Sequence, residues 1–406
     1  MGLYNIWYNC GCMSNATMTR FRVLFFLSTI VIVGIVGIFV SYYARGYRLD
    51  FKTFKFQPNG ILVIKSDPDG ASVIINNELK TVTNANISLA PGTYDVKVAK
   101  DGFFTWSKRL VIEKEVVTQA TASLFKNVPS LSPITFSGAI NPVISNDSTR
   151  IAFIVLPGKD VSEDKVGLFT VDTYTLPLGF STNPKRITDG DLTGASYIFS
   201  PDGREIMLTI SNSVFVIDAG SFTSQAQRVN IAAKKDTTLA QWKTEKTIKN
   251  TGLTKNLPES LTDILTRKTS DYVFSPDENM ILYTASASGT LANNLIPQLP
   301  GASTQKQERD IQKGHTYIYD IKEDRNFLIS DKQETLRWMP DSRHLLLPIE
   351  NQVIVMDYDG TNRQVVYSGN YVTPFAFPFT NSTKILVLTN LGAATTSANL
   401  YTLTVK

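Results

Sequence analysis

Hydrophobic and polar positions follow three different patterns along this chain. The first is an unbroken apolar run: residues 23–44 carry no charge and lie between Arg22 and Arg45. As a helix that run rises ~33 Å, enough for the ~30 Å hydrocarbon core of a bilayer. Phe21, Tyr42 and Tyr43 stand at its ends, where aromatic side chains suit the membrane–water boundary. From Gly60 onward the period becomes two, as in strands with one buried face. A helical period interrupts it in 232–268, where Leu253, Leu257, Leu261, Ile264 and Leu265 recur three or four apart. Asn256 and Glu259, with Pro258 between them, read as a capping box opening the second of two helices.

The apolar run is longer than the 7–15 residues usual in a cleaved signal, and Tyr42 is too bulky for the position three before a cut at Arg45. An uncleaved signal anchor is expected. Cys10 and Cys12 precede the run, so the lipoprotein arrangement is disfavoured, and Ile6 stands where myristoylation of Gly2 wants Ser or Thr. Two basic residues flank the N-terminal side (Arg20, Arg22) and four the other (Arg45, Arg48, Lys52, Lys55). A strict charge count would hold the large part inside. Long domains translocate regardless of that count, and Arg20 and Arg22 abut the run as a signal's basic region does. The expected topology has residues 1–22 cytoplasmic and the bulk outside the bacterial cytoplasmic membrane, with Met18 a plausible true start.

After a linker at 45–59, period-two segments separated by turn residues fill 60–126. Ile61 to Ser66 precede Asp67-Pro68-Asp69-Gly70; Tyr94, Val96 and Val98 alternate with Asp95 and Lys97. An antiparallel sandwich is expected. The motifs Ser66-Asp67-Pro68-Asp69-Gly70-Ala71, Val73-Ile74-Ile75-Asn76, Leu89-Ala90-Pro91-Gly92-Thr93-Tyr94 and Lys100-Asp101-Gly102-Phe103 resemble the PEGA domain family. Asn77 and the segment Lys80-Thr81-Val82-Thr83 depart from the family pattern. The resemblance implies a small envelope-associated sandwich without catalytic residues. Trp106 is read as core, with a sugar-stacking platform as the lesser alternative.

The remainder, 130–406, repeats itself. Ser200-Pro201-Asp202-Gly203, Ser275-Pro276-Asp277-Glu278 and Met339-Pro340-Asp341-Ser342 each precede an apolar strand. Degenerate copies begin near Ser145 and Thr380. A second strand ending in Asp follows in four copies, at Asp172, Asp218, Asp320 and Asp357. With insertions 156–166, 232–268 and 288–313 removed, the spacing is close to the ~40 residues of a four-stranded propeller blade. Five units are visible; a cryptic one would make six. The last unit lacks a fourth strand, which Pro133 to Ser137 are expected to supply. Through its Phe-Ser-Pro-Asp-Gly units this part resembles TolB-like, WD-repeat-like β-propellers. The fold class is therefore all-β: a transmembrane helix, a PEGA-like β-sandwich, then a β-propeller with a helical insertion.

Composition narrows the chemistry. Two His and two Cys in 406 residues leave no catalytic triad pattern and no metal-ligand spacing; Cys10-Gly11-Cys12 lacks a second pair. No catalytic, cofactor or metal residue is assigned. A formal charge of +4, and +2 for the part beyond the membrane, argues against nucleic-acid binding. What remains is a non-catalytic, membrane-anchored binding or scaffold protein of the envelope. Its alternatives are a ligand of wall glycan or S-layer and, less favoured, a propeller glycan hydrolase. Candidate partner-binding residues are Trp242, Leu257 and Leu261 in the first large insertion and Leu295, Ile296 and Leu299 in the second. For both insertions, packing over a blade is the competing reading.

Overall fold

Continuous hydrophobicity without a polar face gives one long helix, α1, at Asn15–Ala44. It is long and apolar enough to cross a membrane, and none of Phe21–Ala44 is buried against the rest of the chain. The computed structural model describes residues 15–44, 47–50, 55–159, 161–174, 183–297, 304–393 and 397–406.

Seven strands form the sandwich. Gly60–Asp67 lies between Ala85–Leu89 and Val117–Ser123 in one sheet. In the other the order is Glu78–Val82, Ser72–Ile75, Gly92–Ala99, Trp106–Ile112. Alternation puts Leu62, Ile64, Val73, Ile75, Val96, Val98, Leu110 and Ile112 in one core, each at most 5% exposed. The sandwich is not wholly antiparallel as expected, because Gly60–Asp67 and Val117–Ser123 pair in parallel. Each connection reverses the chain, so the first and seventh strands run the same way. Gly60 permits the close approach there: a Cβ would lie 2.3 Å from the Glu113 carbonyl oxygen.

The repeats form five sheets among the described residues, here sheets I to V in chain order. Sheet I contains Ile140–Ile144, Arg150–Val155, Gly167–Asp172 and Lys185–Thr188. Sheet II has three strands, Ser196–Phe199, Glu205–Ile210 and Ser213–Asp218. Sheet III has Thr269–Phe274, Met280–Ala285, Thr316–Asp320 and Arg325–Ser330; sheet IV has Arg337–Trp338, His344–Ile349, Gln352–Asp357 and Gln364–Ser368. Sheet V joins Ala376–Pro378, Lys384–Thr389 and Asn399–Thr404 to Ser130–Pro133 from the start of the region. That first strand pairs antiparallel with the last and covers an edge that would otherwise be open. It spans Ser130–Pro133 and shares only Pro133 with the expected Pro133 to Ser137.

One turn recurs in all five sheets. The amide of Ser145, Ser200, Ser275, Met339 or Phe379 donates to the carbonyl five residues on, at 2.8–3.0 Å. The residue three after each has positive φ: Ser148, Gly203, Glu278, Ser342 and Ser382. Only sheet II uses glycine there, which explains why the motif is written so differently in each copy. In sheets I to III the Ser hydroxyl donates to the Asp carboxylate two residues on at 2.6 Å and accepts the amide five residues on at 3.0 Å.

Neighbouring sheets pack through their inner faces: I on II, I on V, III on IV and IV on V each share a hydrophobic cluster. Between II and III lie the helices of the first insertion, α2 (Lys235–Thr254) and α3 (Glu259–Arg267). Trp242 of α2 packs on Met207 and Val214 of sheet II; Leu261, Ile264 and Leu265 of α3 pack on Ile281 and Tyr283 of sheet III. One local expectation fails here. The N-cap of α3 is Pro258, not Asn256, and it makes no side-chain capping bond. Residues 228–231, after the 3₁₀ turn at Gln225–Gln227, make only an isolated bridge at Asn230.

Candidate functional site

A group of buried charges lies where the sandwich meets sheet IV. Period-two alternation puts Trp106, Lys108 and Leu110 on one face of their strand. Across from them, His344 and Asp357 are register partners on adjacent strands. The turn after Asp357 adds Asp359 and Asn362, and the recurrent turn before His344 adds Asp341.

The Lys108 ammonium lies 2.6 Å from Asp359 and 3.8 Å from Asp357, with side-chain exposures of 9%, 0% and 9%. It also stands over the Tyr358 ring, 5.2 Å from its centre. The Trp106 indole N–H donates to Asp357 Oδ2 at 3.2 Å, and Asn362 Nδ2 donates to the same oxygen at 2.9 Å. The Ser107 amide donates to Asn362 Oδ1 at 2.9 Å, so backbone as well as side chains cross the junction. His344 Nδ1 is 2.8 Å from Asp341 Oδ2, and Nε2 is 3.4 Å from Asp357 Oδ1. The edge of Phe125 meets the His344 ring at 5.1 Å.

Burial opposes a charged imidazole, but Asp341 and Asp357 outweigh it and raise His344 to about 9. Burial likewise works against the Asp341 carboxylate, and the His344 charge overrides it, bringing Asp341 down to about 2. Lys108 is raised: burial pulls it down, and Asp359 and Asp357 more than compensate. Glu323, which borders the group, is raised by burial and then by Asp320.

The pocket lined by Trp106, Lys108, Glu323, His344, Asp357 and Tyr358, among others, measures about 100 Å³. That is well below the ~300 Å³ at which small-molecule pockets begin. Both imidazole nitrogens face carboxylates, and among the described residues no Ser or Thr side chain bonds to the ring. The arrangement fixes two modules together. It does not present a free base to a nucleophile.

Further links reinforce the junction. Lys406 Nζ pairs with Asp67 Oδ2 at 2.9 Å, and the Lys126 amide donates to the Val405 carbonyl at 2.8 Å. Phe125, 2% exposed, joins the cluster of Met339, Val355 and Val366. Thr304, from the second insertion, donates to the Arg109 carbonyl of the sandwich at 2.7 Å.

The residues singled out in the insertions are placed as follows. Trp242 is 8% exposed and Leu261 fully buried, while Leu257 and Leu295 are partly buried in the cluster around Tyr283 and Tyr317. Ile296 is half-buried. Leu299 lies outside the described residues. Trp106 is 3% exposed, so its ring is no open platform for a sugar. Sequence reasoning gave Lys108, His344 and Asp359 no role in a site and read Asp357 only as the end of a repeated strand. One signal was available: the fourth repeat copy replaces the turn Ser with Met339 and puts a histidine five residues later.

The PEGA domain family matches residues 59–127, so the chain carries a PEGA domain in its sandwich. No curated protein matches the chain. Solved structures it resembles include a putative TolB from Agrobacterium tumefaciens, 14% identical over 66% of this chain and 78% of that one, TM-score 0.22. TolB from Acinetobacter baumannii is 12% identical over 77% of this chain and 59% of that one, TM-score 0.20. An oligogalacturonate lyase in complex with manganese is 10% identical over 77% and 74%, TM-score 0.23. Scores this low carry no weight for function, and the propeller-type architecture rests on the strand pairing and the fivefold turn.

Proposed function

We propose that this is a non-catalytic, membrane-anchored envelope protein that displays its PEGA domain and propeller-type region as one rigid binding unit. α1 is its single span, with the N-terminus inside and the bulk outside. The observation that carries the reading is the buried Lys108–Asp359–Asp357–His344 cluster. Lys108, Asp359, Asp357 and His344 are committed to one another, and they hold one module on the other. A partner would then meet a surface of fixed shape, as a docking scaffold requires. Burial of Trp106 removes the main sequence argument for a wall-glycan platform.

The test uses the full chain in detergent, incubated with bacterial wall sacculi and with polyuronate. The reading predicts no release of soluble reducing ends, and chemical cross-linking in intact envelopes to a saturable protein partner. Release of reducing ends that scales with protein concentration would overturn it.

A further inference from the structure

The chain just beyond α1 carries a small structure of its own. Tyr47–Asp50 and Lys55–Pro58 pair antiparallel, and among the described residues they form a separate two-stranded sheet. An isolated hairpin of two strands is marginal at best in water, so an apolar face on it needs a cover. The register sorts its residues. Tyr47 stands opposite Pro58 and Leu49 opposite Phe56, which places these positions on one face. Arg48 opposite Gln57, and Asp50 opposite Lys55, make up the other. One face of the hairpin is thus apolar and the other polar.

Its position says what the cover is. Three Cα steps separate Ala44, the end of α1, from Tyr47, a reach of at most ~11 Å. The Tyr47 ring meets Tyr42 in the last turn of α1 edge to face, with centres 5.1 Å apart. The apolar face therefore starts level with that turn, where the charge-free run ends and the ~5–8 Å headgroup layer begins. We infer, on the reading of α1 as a span, that the hairpin lies on the membrane, with the face of Tyr47, Leu49, Phe56 and Pro58 seated in the lipid boundary. The covalent link to α1 holds that face at the boundary whatever else binds, which favours lipid over a soluble partner. Tyrosine suits that depth. Seated there, the hairpin also orients the PEGA domain. The Tyr47 hydroxyl donates to Glu115 Oε1 at 2.6 Å, and the Glu115 amide donates to the Asn59 carbonyl at 3.1 Å. The turn that carries Glu115 is then the membrane-facing end of the domain.

The test is nitroxide accessibility on the full chain in phospholipid vesicles, with Cys10 and Cys12 replaced by serine so that one introduced cysteine carries the label. Labels go in turn at Arg48→Cys, Leu49→Cys, Phe56→Cys and Gln57→Cys, with Ile35→Cys as the reference inside α1. Each label's collision rate with oxygen, which dissolves in lipid, is compared with that of a water-soluble nickel chelate. The oxygen-to-nickel ratio at Leu49 and Phe56 is expected several-fold above that at Arg48 and Gln57, approaching the ratio at Ile35. Each label on the apolar face leaves the other apolar residue in place, so the two report independently. A lipid-like ratio at Ile35 with no alternation across the four hairpin positions overturns the hairpin's seat and leaves the span standing. A label at Ile35 that the nickel chelate reaches removes the span and the seat together. Low collision with both reagents at Leu49 and Phe56 means that protein covers the face, and dipolar broadening between labels means that a second copy does; either result overturns the inference.

Discussion

Removing one partner from the junction should cost far more than removing two. Lys108→Met leaves Asp359 fully buried with its ammonium gone, 2.6 Å away in the native chain. Breaking a buried pair in this way costs about 3–5 kcal/mol. Asp359→Leu leaves Lys108 with Asp357, at 3.8 Å, as its remaining ion pair, and a loss of about 2–4 kcal/mol is expected. In Lys108→Met/Asp359→Leu both charges disappear together. Asp357 then still has His344, Trp106 and Asn362 as partners. The double variant should therefore lie within about 1–2 kcal/mol of wild type, a coupling of at least ~2 kcal/mol. Urea unfolding of the detergent-solubilised chain, followed by the summed tryptophan fluorescence to which buried Trp106 contributes, measures all four corners of the cycle. Strict additivity, with a coupling below about 0.5 kcal/mol, would refute the idea that these residues act as a unit.

Three other outcomes follow from the structure. Because the folded state raises His344 to about 9, its contribution is complete below about pH 6.5 and is lost as pH climbs through 9; Asp341, lowered to about 2, contributes fully above about pH 3.8 and fails as pH falls through 2. Stability from this pair is thus greatest between about pH 4 and 6.5, and His344→Gln should flatten the alkaline limb of a melting-temperature profile. Ser200→Ala removes the hydroxyl that donates to Asp202 and accepts the Glu205 amide, for a loss of about 1–3 kcal/mol in unfolding free energy. Ile35→Asp places a charge near the middle of α1 at a cost of about 3 kcal/mol for insertion, and alkaline extraction of membranes should release more of that variant.

Much of the fold was legible because each element carries its own local signal. α1 is visible as absent charge, the sandwich as alternation between turn residues, and the five sheets as a turn written five times. The strand that completes sheet V was legible from a shortage, since the last unit had nothing to cover its edge. What local patterns missed was set by distant partners. Trp106 and Asp357 stand 251 residues apart and meet through an indole N–H. Nothing in either neighbourhood announces the other. The parallel pair in the sandwich was missed because alternation fixes which face a side chain takes, not which strand lies beside it. The insertions were ambiguous for a similar reason. Helical spacing in α3 is the same whether its apolar side meets a partner or sheet III, and the contacts of Leu261 show that it meets sheet III.

The central claim is that the PEGA domain and the propeller-type region form one body held by the buried cluster. Spin labels on cysteines introduced at Asn86 and Lys313, with Cys10 and Cys12 replaced, would report the distance between the two modules by pulsed electron resonance. Both labelled positions are exposed, so the labels leave the junction intact. The account predicts one narrow distance distribution in the wild-type background, broadening markedly in Lys108→Met. A distribution that is already broad in the wild-type background would contradict it.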